Sequence, residues 1–180
     1  MNLMALAPIW LVVLLCVTLA AAAVEDSIRL RISNLIVVAV LAEAVVAMFV
    51  HGVTFALWEN LALFIAFLLV GTALFSAGML GGGDVKLLAA VGLWVDFEHA
   101  PFLIASVFIA GGLLAVVTLS SRLLVRRGSG ATLRDRSRRI PYAVAIATGS
   151  LFLLALQHVP AKHPNPLEIH PLRELPQSPR

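Results

Sequence analysis

Apolar residues in this chain come in long unbroken runs, with the polar residues gathered between them, instead of alternating with the short periods of a half-buried strand or a surface helix. A helix needs about 20 such residues to cross about 30 Å of hydrocarbon. Leu3 to Val24 is the first run of this kind, Leu35 to Val50 the second, broken only by Glu43, and Phe55 to Ala77 the third. The glycines Gly81, Gly82 and Gly83 then precede a shorter apolar piece, Val85 to Val95, which reaches span length only if it continues toward Ala100 across Asp96 and Glu98. Pro101 to Val125 makes a fifth run and Ile140 to Val159 a sixth. The pattern predicts an all-α integral membrane protein: a bundle of about six transmembrane helices over residues 1–159. Pro160, Pro164, Pro166, Pro171, Pro176 and Pro179 punctuate residues 160–180, which are expected to be an extended, disordered tail. No internal repeat is visible.

Composition agrees: 61% of the 180 residues are apolar, 13% are charged, and the mean hydropathy is +0.99. An ordinary soluble domain carries roughly 45–50% apolar residues. A single cysteine, Cys16, excludes an internal disulfide or a cysteine metal cluster. No Lys or Arg precedes Arg29, so the first run lacks the basic start of a cleavable signal peptide and reads as a retained helix.

The net charge of +3 matters less than where the charges fall. Arg29, Arg31, Lys86 and the seven arginines from Arg122 to Arg139 all lie in alternate loops, and the intervening loops, near His51 and near Asp96 to Ala100, hold no Lys or Arg. Basic residues in short loops are retained in the cytoplasm. The expected topology puts the amino terminus outside, the glycine run and the arginine-rich loop inside, and the tail outside. The arginines suit anionic lipid headgroups. Nucleic acid is not an expected partner, because the topology already accounts for the same charges.

Within this arrangement Asp26, just past the first run, and Asp84, just before the fourth, share one depth at the cytoplasmic membrane face. Ionisable groups at such positions are costly and point to function. Each also has a plain structural reading. Asp84 after three glycines has the look of a helix N-cap, and Asp26 could pair with Arg29. Together they allow more, since two close carboxyls can divide the labour of hydrolysis, one ionised and activating water, the other protonated and polarising a carbonyl. Glycines beside one of them would let a peptide backbone approach.

The segment GGGDVKLLAAVGLW, with Gly81-Gly82-Gly83-Asp84 as a GxGD signature, resembles the corresponding stretch of type IV prepilin peptidases, membrane aspartic proteases. Upstream, AAAVEDSIRLRISNLIVV resembles that family's first aspartate segment, and downstream RRIPYAVAIATG, Arg138 to Gly149, resembles the opening of its last helix. The resemblance implies that Asp26 and Asp84 are the catalytic pair and that Gly81 and Gly83 shape the active-site loop. Lys86 matches a lysine of the family pattern, with a snorkelling cation as its plain reading, and Ile140, Pro141 and Tyr142 mark the last helix. It further implies an aspartic endopeptidase of the bacterial inner membrane, multi-pass, with no metal and no cofactor. Its partners would be membrane lipid and prepilin-like single-span substrates, whose short basic leader is cut at the cytoplasmic face. Two residues depart from the pattern: Ser33 stands in place of a proline and Ala143 where a glycine is common. The paired-cysteine segment of methyltransferase-bearing members is missing, so the chain is most similar to the short, peptidase-only members associated with Tad/Cpa-type pili.

Other polar residues allow rival readings. Glu43 inside the second run could join Asp26 and Asp84 as the ion or proton path of a small transporter or channel subunit, or simply hydrogen-bond a neighbouring helix. His51, Glu59 and Asn60 are expected at the outer interface, away from the chemistry. His158, His163 and His170 are spaced too irregularly to suggest a metal site. Ala20 to Ala23 and Gly111-Gly112 could line a groove for a substrate helix or serve as ordinary helix contacts.

Overall fold

A computed structural model of the chain describes residues 1–52, 54–128 and 142–158. The basic stretch beyond residue 128, Ile140, Pro141 and the proline-rich tail lie outside the described residues. Seven helices and no strands are present among the described residues: α1 (Leu3–Leu6), α2 (Ile9–Arg29), α3 (Asn34–His51), α4 (Leu57–Ser76), α5 (Gly82–Gly92), α6 (Ala100–Gly128) and α7 (Tyr142–His158). Four have the length and apolar character to cross a membrane: α2, α3, α4 and the part of α6 from Ala100 to Ser120. The chain is thus an all-α, multi-pass membrane protein, but the expectation of six spans is corrected, because α5 has 11 residues and α7 has 17.

The first apolar run is also divided. Ala7 is extended ahead of Pro8, as a residue before proline must commonly be, so the one-turn α1 is a separate piece and α2 starts at Ile9. α2 then continues past Val24 and closes at Leu30, whose positive φ of 52° turns the chain and whose amide bonds to the carbonyl of Asp26. Ser33 caps α3 by accepting the amide of Ile36. Its own N–H donates to Glu25 Oε2 at 3.0 Å, a bond that a proline at this position could not make.

α5 is the centre of the bundle, packed on α4, α3 and α7. Val85, Leu87, Ala89, Ala90 and Val91 are all buried. Small residues make this approach possible: a Cβ on Gly71 of α4 would lie 2.7 Å from Val85 Cγ1, and one on Gly92 would lie 2.7 Å from the Phe67 ring. α6 and α7 meet as closely, since a Cβ on Gly149 would lie 2.7 Å from the backbone nitrogen of Val107.

The predicted fourth span stops at Gly92 for a reason visible in the hydrogen bonds. Leu93, Trp94 and Val95 are buried but not helical, so their carbonyls need other partners. Asn60, fully buried in the first turn of α4, donates to the carbonyls of Leu93 (2.8 Å) and Val95 (3.0 Å), as well as to that of Met1 (2.8 Å). Met4 N–H takes the Trp94 carbonyl at 3.0 Å, and the Trp94 indole donates to the Val40 carbonyl at 3.3 Å. A side-chain amide and the amino-terminal turn replace the helical bonds that α5 gives up.

Candidate active site

At the end of the bundle opposite Asn60, the last turn of α2, the first turns of α5 and α7, and the α2–α3 connection converge. Asp26 lies inside α2 and not beyond its end, and only 5% of its surface is exposed. Its expected partner, Arg29, pairs with Glu25 instead, at 3.4 Å on the exposed side of the helix. Asp26 Oδ2 accepts the amide of Ala143, in the first turn of α7, at 3.0 Å. A helix leaves its first amides without intrahelical acceptors, and Asp26 supplies one from another helix.

Asp84 is the third residue of α5, with Gly81 as the N-cap, so the expectation of Asp84 itself at the cap is corrected by three positions. Its Oδ2 reaches back to accept the Gly81 amide at 3.2 Å. Its Oδ1 is buried and has no hydrogen-bond partner among the described residues. α5 is too short to span, and Asp84 sits at its start. Burial, and secondarily the negative charge of Asp26, push the Asp84 carboxyl up to about 6, against the opposing pull of the Gly81 amide.

The three glycines are not equivalent. A Cβ on Gly81 would lie 2.7 Å from Asp84 Oδ2, so a side chain there would require the carboxyl to move from its present place on the cap. A Cβ on Gly83 would press on Ile32 at 3.1 Å, so the second glycine admits the α2–α3 connection. At Gly82 the nearest atoms belong to the Phe75 ring at 3.5 Å, an ordinary contact. The G-x-G-D spacing thus has a local physical cause at each of its positions.

Lys86, read from the sequence as a snorkelling cation, donates from Nζ to Asn34 Oδ1 at 3.0 Å and ties α5 to the start of α3. Glu43 is buried on α3 and accepts the Thr18 hydroxyl at 2.7 Å. Thr18 lies eight residues before Asp26 on α2, roughly 12 Å along the axis, so Glu43 does not join the two aspartates. Nothing in the residue pattern marks the Ala143 amide or the Glu25–Ser33 bond as part of the site. The only hint of the latter was the serine standing where a proline was expected.

The fold and this site define a multi-pass helical membrane protein with two buried carboxyls at one end of its bundle. The family model described as the type IV leader peptidase family matches residues 13–116, and the chain belongs to that family. The match includes both aspartates and the whole of α3, α4 and α5. Neither the curated proteins nor the solved structures give a significant match.

Proposed function

We propose that this protein is an aspartic endopeptidase that removes the short basic leader from type IV prepilin-like single-span proteins at the cytoplasmic face of the bacterial inner membrane. Asp26 and Asp84 are the catalytic residues. What supports the reading is the burial of Asp26 and Asp84, at the end of α2 and the start of α5, in a member of a peptidase family. Asp26, beside the first-turn amide of α7, takes the ionised role, for which the positive end of a helix dipole is suited. Asp84, held up by burial and by its neighbour's charge, takes the protonated one. The Asp26 carboxylate accepts a proton from water as the water oxygen bonds to the scissile carbonyl carbon, and the Asp84 proton moves toward the carbonyl oxygen. The resulting diol collapses when the proton now on Asp26 passes to the amide nitrogen, the C–N bond breaks and a diol hydroxyl returns its proton to Asp84, restoring both carboxyls. The two protonation states belong to the pair and not to either residue alone.

Gly81, Gly83 and Lys86 serve by shaping and anchoring the loop that carries Asp84. The association with Tad-type pili is part of the same proposal. The transport alternative receives no support from Glu43, which is bonded to Thr18 apart from both aspartates. The test is co-expression with a prepilin. Asp26→Asn and Asp84→Asn should each abolish leader removal while the protein remains in the membrane; processing by either variant would defeat the proposal.

A further inference from the structure

α4 packs on α5, and α6 packs on α7. Between the two pairs lies a groove of about 450 Å³, with Gly71 and Leu74 on one side, Leu88 at its base, and Phe108, Gly112 and Ala115 on the other. It opens sideways, since Val70 and Phe108 on its rim are 60% and 73% exposed. On α6 it extends from Ile104 to Ala115, about 17 Å or three turns of helix. Every side chain lining it is apolar except Tyr142 and Asp84, which stand at the end belonging to the candidate active site.

We infer that this groove receives the apolar helix of the single-span substrate, one face against α4 and α6, with the amino-terminal end of that helix over Asp84. The inference rests on the peptidase reading above. Small residues along the walls let another helix come close, and lipid-embedded helices associate mainly through such packing. A lipid acyl chain could fill apolar walls, but it offers nothing to Asp84, which is 8% exposed and has an Oδ1 without a hydrogen bond among the described residues. The start of a helix and the chain leading into it offer polar partners: amides with no internal acceptor, and peptide carbonyls to which the unbonded Oδ1 can donate when protonated. A substrate helix seated this way brings the peptide bonds just ahead of it to the carboxyl pair.

Gly112 makes the test clean, because a Cβ there would meet nothing within 4 Å. A larger side chain would project into the groove without displacing a neighbour. Gly112→Phe is compared with Leu113→Phe, which places the same aromatic ring at a 65% exposed position on the face of α6 turned away from the groove. In full-length protein, Gly112→Phe should reduce prepilin cleavage on the order of 100-fold with its unfolding midpoint in detergent unchanged, and Leu113→Phe should cleave as wild type. A photo-crosslinking residue at position 112 in the Asp84→Asn protein should capture the apolar segment of the prepilin. Wild-type cleavage by Gly112→Phe, or adducts formed with lipid only, would overturn the groove assignment while leaving the peptidase reading intact. The peptidase reading falls separately, through processing by the aspartate variants.

Discussion

Asp26 Oδ2 and the amide of Ala143 meet at 3.0 Å across 117 residues of sequence. This bond joins the end of α2 to the beginning of α7 and fixes one oxygen of a carboxyl that has no cation partner among the described residues: the nearby Arg29 is paired with Glu25 on the other side. The first turn of α7 therefore belongs to the candidate site although the matched family segment ends at residue 116. Ala143 is completely buried there, so its methyl group fits where a glycine was expected. The bond is made by backbone, and exchange of the Ala143 side chain for glycine should leave it in place.

The three glycines ahead of Asp84 should rank in a definite order when each is changed to alanine. Gly82→Ala meets an ordinary contact with Phe75 and should retain most activity. Gly83→Ala must push Ile32 back from 3.1 Å, with an intermediate loss. Gly81→Ala forces a methyl group to 2.7 Å from Asp84 Oδ2 and breaks the bond between the carboxyl and the cap. Displacing a catalytic group by about 1 Å can cost about 100-fold, and a loss of that order is expected for Gly81→Ala. Initial rates of leader removal at matched protein levels would establish the order; equal effects at all three positions would contradict it.

Lys86 and Asn34 should behave as a unit. The 3.0 Å bond between them links the helix that carries Asp84 to the connection that follows Asp26. The pair is exposed, so its net worth is about 1 kcal/mol, roughly fivefold in rate if expressed in the transition state. Lys86→Ala and Asn34→Ala should each reduce cleavage by a similar small factor, and the double variant should be no slower than either single one. A double-mutant cycle measures this directly, and additive losses would show that the two residues act independently.

Much of this arrangement was open to reading in the sequence, for reasons that differ from element to element. The length of an apolar run depends on the bilayer, so α3, α4 and α6 fall close to their predicted places. The expectation that Asp26 and Asp84 share one end of the bundle comes from charge asymmetry between loops, and the motif supplies the glycines. The fourth span was misjudged because hydropathy counts apolar side chains and is blind to backbone: Leu93, Trp94 and Val95 are apolar enough to continue a helix, and only the distant Asn60 and Met4 reveal that they do not. Asn60 was read as an interfacial residue without consequence, because nothing local marks a side chain whose partners are 33 and 35 positions away. Contacts made by backbone, such as the Ala143 amide on Asp26, leave no imprint in residue type at all.

That role for Asn60 predicts a separation of stability from activity. Asn60→Leu keeps a similar volume but removes the donor, leaving the buried carbonyls of Leu93 and Val95 unsatisfied. The cost of such groups is about 1–3 kcal/mol each, although relaxation would recover part of it. The unfolding midpoint in detergent should fall clearly, while cleavage per folded molecule at low temperature should stay near wild type, since Asn60 lies at the end of the bundle away from both aspartates. A variant that is stable but inactive would place Asn60 in the chemistry instead.

The coupling of the aspartates gives the prediction with the sharpest sign. Asp84 is held at about 6 by burial first and by the charge of Asp26 second. If its proton is the one donated to the scissile carbonyl, the competent form dominates below that value and is depleted as pH rises through it, so the alkaline limb of the kcat/KM profile should lie near there. The protonated carboxyl can be followed independently by the infrared carbonyl band that disappears in Asp84→Asn. Replacing Asp26 by Asn removes the neighbouring charge but leaves the burial. The midpoint of that band should therefore move down toward the ordinary carboxyl range without reaching it. A midpoint unmoved by Asp26→Asn would mean that the two acids do not sense each other, and a pair that shares one proton could not then be the agent of hydrolysis.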